Sequence, residues 1–483
     1  MKANLLKIFL LLFIITGTAI SQQQETITVT GGKQVHHTIN GESIDTVYGP
    51  VTITQGNVII TCDKAVRYVI ENNAELIGHV VVRQDTLTIT TDHGFYYGDE
   101  RKAESNSGVK LTDKKVILTA DSGDYFFDLD KAVFKSRVTL IDTSSVLTSS
   151  RLIYFKNEGK AIASGSVKIV ESQNIIKADS LIHFRESKIS YAFNDVRITN
   201  TTNNTKIFGD HLEDYPNTFY TLIDKNPILV QVDTSYENKI DTLASGNVDT
   251  SKVIKLDTLI IKCMKMEAYR DTINIFKAED SVKIVRGSFA SRNDFSKYFR
   301  NEGKIITEKI KQNSAQPIIW YENSQLTGDS VTIFLHENKI NLMDVDKDAF
   351  IVSNDEKYPS RYSQISGDKF IIHFGDDGIE ETEVYGKVYS IYYLYDDNSP
   401  NGLVKSSSQT AKIFFKDKKV DQVKLYGTPT SEYYPEVKVQ GNELAFTLPG
   451  FVLYKNKPDK KELLESIAVN ADQDASSRIK KQD

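Results

Sequence analysis

Residues 118–140 read LTADSGDYFFDLDKAVFKSRVTL, and the same order of residue classes returns 29 positions earlier and 29 positions later. With Asp121 as the reference, steps of 29 residues reach Asp63, Asp92, Ser150 and Asp179. An aliphatic residue stands three positions before each reference residue, and an aromatic residue stands five positions after it. A fixed period of about 20 to 50 residues indicates stacked copies of one supersecondary unit.

Apolar residues within each copy fall on alternate positions, which is the period of a pleated strand and not of a helix. In the third copy, Leu118, Ala120 and Phe126 are predicted to share one strand face, with Tyr125 on the other. Turn formers such as Gly98-Asp99-Glu100 separate the two strands of a copy. The sequence therefore predicts an all-β stack of two-strand, 29-residue repeats.

The repeat is regular only up to about residue 200. We predict one repeat array at 22–200, an irregular junction at 201–250, a second and looser array at 251–375, and a Tyr-rich β segment at 376–455. Residues 456–483 are charged and are predicted to be a disordered tail, with a short helix near Lys461 to Ala468. This organisation predicts two or three consecutive troughs.

The N-terminus predicts export. Lys2 and Lys7 precede an apolar run that ends near Ile15, and small polar residues follow it up to Ser21. This order is typical of a cleaved signal peptide, 1–21, and the run is shorter than the roughly 20 apolar residues of a membrane span. An uncleaved interfacial anchor is the alternative interpretation.

Charge and cysteine content exclude several classes of protein. The net charge is −6 and becomes −8 without Lys2 and Lys7, which argues against a nucleic-acid partner. Cys62 and Cys263 are the only cysteines, so the chain is not a disulfide scaffold. They either pair or are buried thiols, and the small-residue position of Cys62 in the repeat favours buried thiols.

A strand with one apolar face must bury that face, so stacked repeats are predicted to form a lined trough. Two interpretations stay open: a trough with room for a guest, or a tapered core that its own side chains fill. For the first interpretation, the predicted lining comprises Ile60, Tyr68, Val80, Ile89, Phe95, Tyr97, Val109, Leu118, Phe126, Val138, Leu147, Ile153, Phe155, Val167, Ile176, Ile182, Phe184 and Val196.

The pattern that runs from Leu147 to Ile169, with A-x-A-S-G-x-V-x-I in its second half, resembles the OstA/LptA-like family of lipopolysaccharide-transport proteins. The resemblance covers about residues 45–200 well and 250–455 loosely. It implies an open β-jelly roll, "β-taco"-like, whose apolar interior carries acyl chains. It also implies a periplasmic location, end-to-end strand addition to other jelly-roll transport proteins, and a separate outer-membrane barrel partner. The chain is longer than a single-trough member of that family.

The sequence offers little support for a metal, catalytic or phosphate-binding site. The Asp column is predicted to meet backbone N–H groups at strand edges, because the glycine-rich nonapeptides of calcium β-rolls do not occur. His36-His37 is predicted to be solvated, as are the carboxylates Asp376-Asp377 and Glu380-Glu381 around Gly378. No phosphate-binding or nucleophile motif occurs. We predict a non-enzymatic, lipopolysaccharide-binding component without cofactor or metal. The alternative is a structural or adhesive β-solenoid that binds glycan or protein on its outer face.

Overall fold

The structure, a computed structural model, describes residues 27–467 apart from residues 40, 115, 243–247, 312–313, 376–377 and 397–398, and it describes no side chains from 235 to 255. The predicted signal peptide, the Asp376-Asp377 pair and the predicted tail beyond residue 467 lie outside the described residues. Within this range, no helix is long and apolar enough to cross a membrane.

The chain folds as two compact units that interleave in sequence. Among the described residues, the first unit contains those up to Lys114 together with Ser122–Leu129, and the second contains residues 116–121 together with those from Asp130 onward. The division falls between residues 114 and 130. The separate repeat arrays at 22–200 and 251–375 stay a prediction.

The described residues contain 32 β-strands. The first ten are β1 Thr28–Thr30, β2 Lys33–Ile39, β3 Glu42–Gln55, β4 Val58–Tyr68, β5 Asn73–Gln84, β6 Leu87–Tyr97, β7 Lys102–Ser105, β8 Val109–Asp113, β9 Val116–Ala120 and β10 Ser122–Phe126. The next eleven are β11 Lys131–Ile141, β12 Ser145–Phe155, β13 Lys160–Glu171, β14 Asn174–Phe184, β15 Ser190–Asn200, β16 Thr205–Tyr215, β17 Tyr220–Asp224, β18 Ile228–Thr242, β19 Val248–Lys262, β20 Lys265–Tyr269 and β21 Ile275–Arg286. The last eleven are β22 Phe289–Phe299, β23 Lys304–Glu308, β24 Ile318–Tyr321, β25 Ser324–Thr327, β26 Ser330–His336, β27 Lys339–Asn354, β28 Tyr362–Gly375, β29 Gly378–Asp396, β30 Ser399–Lys416, β31 Lys419–Tyr426 and β32 Thr430–Tyr434.

The described residues contain little helical structure. It consists of 3-10 turns at Pro216–Thr218, Arg300–Glu302 and Glu443–Ala445, one α-helical turn at Glu436–Val439, and a helix over residues 460–467. The strands pair with antiparallel neighbours, as β12 does with β11 and β13. The predicted all-β, jelly-roll-like fold is confirmed.

The described residues between 201 and 250, a range predicted as an irregular junction, contain β16, β17, β18 and the start of β19. β16 pairs with β15 on one side and with β17 and β18 on the other. β18 then pairs along its whole length with β19. The turn formers Pro216 and Pro227 lie between these strands, so they interrupt the 29-residue spacing without ending the antiparallel pairing.

Long strands bend at a repeated β-bulge. In β5, the pairing register shifts between Ile77 and Val80, and both intervening residues, Gly78 and His79, have positive φ. The same two-residue bulge recurs at multiples of 29 residues, at Ser136-Arg137, Gly165-Ser166 and Asn194-Asp195. A bulge inserts unpaired residues and bends the strand. On one side of the bulge, the strands of each long hairpin form part of a first wall, which carries the aliphatic column. On the other side of the bulge, the same strands form part of a second wall.

The two walls of the second unit pack face to face in its C-terminal half. Ile319 and Leu326 of the first wall lie in one buried cluster with Ile333 and Met343 of the second wall. This part of the interior is a packed core.

The C-terminal segment 435–467 covers the outer face of several strands of the second unit. The Gln325 amide donates to the Val452 carbonyl oxygen at 2.8 Å and accepts the Tyr454 N–H at 2.9 Å. Gln364 likewise accepts the Leu448 N–H at 2.8 Å. Leu463 lies in a buried cluster with strand residues of the same outer face. Because successive side chains of a strand point to opposite faces, this face is opposite to that of Leu326.

Candidate binding interior

Aliphatic side chains stand directly opposite one another on successive strands of the first unit. Their order across β3, β4, β5, β6 and β8 is Ile53, Ile60, Val82, Ile89 and Leu111. All five are buried. Neighbouring strands lie about 4.8 Å apart, so the row is continuous across the strands that carry it. We call this row the aliphatic ladder.

The second unit has the same ladder over more strands. Its members are Leu118, Leu140, Leu147, Ile169, Ile176, Ile198, Ile207, Leu229, Ile261 and Ile284, followed by Ser291, Ile319, Leu326, Ile351 and Ile365. The row then becomes polar at Ser390, Ser406 and Ser431. Ile176, Ile198 and Ile207 are half-buried, whereas Leu118 and Leu147 are buried. Three consecutive ladder residues are therefore half-buried on β14, β15 and β16, whereas the half-buried Ile284 and Ile351 each lie between buried ladder residues.

The structure divides the predicted lining residues between two faces. One group faces the interior with the ladder: Ile60, Val80, Ile89, Val109, Leu118, Val138, Leu147, Val167 and Val196, all buried, and Ile176, half-buried. The other group is half-buried on the opposite strand face: Tyr68, Phe95, Tyr97, Phe126, Ile153, Phe155, Ile182 and Phe184. The prediction that Phe126 lies on the inward face and Tyr125 on the other is therefore wrong, because Tyr125 is buried and Phe126 is half-buried on the opposite strand face.

The face changes because the alternation shifts by one residue beside each bulge. Buried residues in the fourth copy are Leu147 and Ser149 before the reference Ser150, and Leu152 and Tyr154 after it. A shift of one residue in the alternation reverses which side chains point inward. The inward aromatic column is thus Tyr96, Tyr125 and Tyr154. The sequence signal was present, since an aromatic residue directly precedes Tyr97, Phe126 and Phe155, and adjacent strand residues face opposite ways.

The outward aromatic column has lysine partners. Lys102 lies opposite both Tyr97 and Phe126 in the strand register, with its Nζ 4.7 Å from the centre of the Tyr97 ring. Lys160 lies opposite both Phe155 and Phe184, 5.7 and 5.8 Å from the two ring centres. A cation over an aromatic face is attracted to it. These rings stabilise the outer surface of the second wall.

Two members of the Asp column contact basic side chains of the bulge. Asp63 Oδ2 is 2.8 Å from His79 Nδ1, and Asp121 Oδ1 is 2.7 Å from an Arg137 amino nitrogen. At these two positions the predicted backbone N–H partner is replaced by a side chain of the opposite strand. These two Asp residues therefore help to hold the bend of the strands at the bulge.

The ends of the two walls that lie farthest from the bulges form what we call the mouth. In the first unit, Gln55 and Gln84 are the last residues of β3 and β5 in the first wall. Tyr96 and Tyr125 are the next-to-last residues of β6 and β10 in the second wall. The Tyr96 hydroxyl donates to Gln55 Oε1 at 2.5 Å, and the Tyr125 hydroxyl donates to Gln84 Oε1 at 3.3 Å. Both pairs span 41 residues and are related by the 29-residue period.

The repeat positions that form the Tyr–Gln pairs in the first unit are occupied by an acid and a histidine in the second unit. Asp142 and His183 are again 41 residues apart, and the Asp142 charge acts on the His183 imidazole. Burial lowers the pKa of His183, and the nearby Asp142 carboxylate partly opposes that shift. His183 Nδ1 is 3.0 Å from the Ser190 hydroxyl. Burial in the second wall therefore favours the neutral imidazole of His183.

Acidification should destabilise the protein through His183. A lowered folded-state pKa gives a stability contribution that is complete above the unfolded pKa of about 6.5 and is lost as the pH falls through the folded value. Denaturant unfolding between pH 8 and pH 5 should show a smaller loss of unfolding free energy for His183→Gln than for the wild type. Equal losses would contradict this assignment.

His79 provides a control of opposite sign. Its hydrogen bond to Asp63 raises the pKa of His79, so its contribution is present below the unfolded pKa and is lost as the pH rises through the folded value. His79→Gln should therefore lose stability relative to the wild type at acidic pH and not at pH 8.

Neither a disulfide nor a metal centre is formed by the described residues. Cys62 and Cys263 are free, buried thiols, and burial raises the pKa of Cys263 to about 12. No group of three or more His, Cys, Asp or Glu side chains within the described part of the chain is arranged to hold a metal ion. His36 instead pairs with Asp45 at 2.7 Å.

Family comparison agrees with the repeated strands. Residues 27–179 match the family model described as OstA-like protein. This segment is OstA-like. The predicted resemblance is thereby confirmed for about a third of the chain, from β1 into β14. The OstA-like segment supports a general relation to a transport and binding family linked to lipopolysaccharide and organic-solvent tolerance. No curated protein matches the chain significantly.

Proposed function

We propose that the protein is a non-enzymatic carrier of lipopolysaccharide or a related lipid, with the acyl chains held between the two walls. The aliphatic ladder is the observation that carries this proposal. It continues without a charged residue from Ile53 to Leu111 in the first unit and from Leu118 to Ile284 in the second. A chain of about a dozen methylenes costs on the order of 10 kcal/mol to leave in water, at about 0.8 kcal/mol per methylene, and such a row offers it an apolar surface.

The accessible part of the ladder gives the proposal a location. Ile176, Ile198 and Ile207 on β14 to β16 are half-buried, while the rows around Ile319 and Ile333 already pack against each other. We therefore assign acyl-chain contact first to β14–β16 and a scaffolding role to the packed C-terminal half.

Terminal strands support a bridging role in the periplasm, next to the outer membrane. β1 and β2 both pair with β3, and β31 and β32 both pair with β30; in the described chain, no further strand pairs with them. Unpaired strand edges are templates for strand addition. We propose that other jelly-roll transport proteins add to these ends and that an outer-membrane barrel is a separate partner.

Photo-crosslinking tests the carrier function. A photoreactive amino acid in place of Ile176 should crosslink to lipid A acyl chains, because this position faces the interior. The same amino acid in place of the adjacent, exposed Lys177 is the matched control and should not crosslink. Equal labelling at both positions, or no lipid A in mass spectra of protein extracted gently from its envelope, would contradict the proposal.

A further inference from the structure

The mouth of the first unit is closed by two polar pairs that repeat with the strand stack. Tyr96 and Tyr125 are only 1% and 2% exposed, and their partners Gln55 and Gln84 are also buried. Gln55 is further satisfied because its Nε2 donates to the Gly98 carbonyl oxygen at 3.3 Å. The Phe127 ring packs against both tyrosines, with ring centres 6.1 Å from Tyr96 and 4.9 Å from Tyr125. The ends of the two walls thus meet through tyrosine hydroxyls and glutamine side-chain amides.

Directly behind these pairs, the first wall presents the ladder residues Ile53, Val82 and Ile89. Their burial means that solvent does not reach them while the pairs are made. When the mouth opens, the hydrogen bond of each Tyr–Gln pair is exchanged for bonds to water, a change that costs little net free energy. The buried rings of Tyr96 and Tyr125 and the ladder behind them also become accessible, and an acyl chain offers them an apolar contact in place of water.

We infer that the Tyr96–Gln55 and Tyr125–Gln84 pairs are the clasps of a lateral access site, through which an acyl chain passes between the walls of the first unit. This inference rests on the proposed carrier function. The chemistry of the mouth fits one class of ligand, a lipid with a hydrocarbon chain. The hydrocarbon chain contacts the ladder, and the polar groups next to that chain replace the clasp hydrogen bonds.

Removing the clasp hydrogen bonds should accelerate ligand access. In stopped-flow mixing with cis-parinaric acid, a naturally fluorescent fatty acid, the Tyr96→Phe/Tyr125→Phe protein should bind about tenfold faster than the wild type, the effect expected from two modest hydrogen bonds. Tyr97→Phe is the matched control, because Tyr97 is adjacent to Tyr96 but on the outer face. An unchanged rate in the double variant, with binding intact, overturns the inference.

Fixing the clasp should have the opposite effect. In a full-length Cys62→Ala/Cys263→Ala background, Gln55→Cys and Tyr96→Cys provide two thiols across the mouth. Joining them with a short bifunctional maleimide should slow cis-parinaric acid binding at least about tenfold relative to the same protein treated with a monofunctional maleimide. Equal binding in the two preparations overturns the access site.

The experiments distinguish a failure of the access site from a failure of the carrier function. If the wild type binds cis-parinaric acid and crosslinks lipid A at position 176 but neither clasp experiment changes the binding rate, the access site fails and the carrier function stands. If no version of the protein binds cis-parinaric acid or lipid A, both proposals fail. Circular dichroism and thermal unfolding of each variant establish that the fold is kept.

Discussion

Leu147→Asp is expected to lower the free energy of unfolding by about 4 kcal/mol or more, from the lost aliphatic packing and the burial of an unpaired carboxylate. Leu147 is 3% exposed and stands between Leu140 and Ile169 in the ladder, with no cation opposite it in the register. Domains of this kind are stable by about 5 to 15 kcal/mol, so the variant should unfold at a much lower denaturant concentration.

Val146→Asp is the matched control for that substitution. Val146 is adjacent in β12 but is 38% exposed on the outer face, opposite the exposed Val170. A surface substitution of this type usually changes stability by less than about 1 kcal/mol. Chemical denaturation of both variants measures the difference, and similar losses would show that the ladder does not face the interior.

Arg361→Met is expected to destabilise the protein by about 3 kcal/mol, since breaking a buried ion pair leaves its partner uncompensated. Arg361 is 3% exposed and bonds Glu436 at the start of the C-terminal segment. The rings of Tyr358 and Tyr393 lie 5.2 and 5.3 Å from its guanidinium carbon. The substitution should release residues 435–467, seen as faster hydrogen exchange at the Leu448 and Tyr454 amides that Gln364 and Gln325 hold.

Two further variants distinguish the loss of the Arg361–Glu436 ion pair from a general loss of stability. Arg361→Met/Glu436→Gln should regain part of the lost stability, because the uncompensated carboxylate is removed as well. Lys418→Met breaks a 2.6 Å contact with Glu322 that is exposed to solvent, and it should cost less than about 1 kcal/mol. Protection of the Leu448 and Tyr454 amides that persists in Arg361→Met would show that the segment is held by its other contacts alone.

Particular residues show how far the sequence can be interpreted alone. The 29-residue spacing of Ile60, Ile89, Leu118, Leu147 and Ile176 predicted a strand stack and one inward column, and these residues do face the interior. The outward Phe126 and Phe155 were assigned to the wrong face because the prediction carried one alternation across the Asp column. Gln55 and Gln84 received no role, since their partners lie 41 residues away across the fold.

The amino-acid sequence by itself determined the β class, the repeat and the aliphatic ladder, because alternation and a constant period are local properties of the chain. The tertiary structure decided which aromatic column points inward, how the mouth of the first unit is closed and what the C-terminal segment covers. The physical reason is that a two-residue bulge with positive φ bends its own strand and shifts the alternation of the partner strand by one residue. In β12, Leu147 and Ser149 are buried before the shift and Leu152 and Tyr154 after it, whereas Phe134 and Val138 of the bulged β11 are buried on both sides of the bulge. No single residue type marks that bulge, since Gly-His, Ser-Arg, Gly-Ser and Asn-Asp all form it.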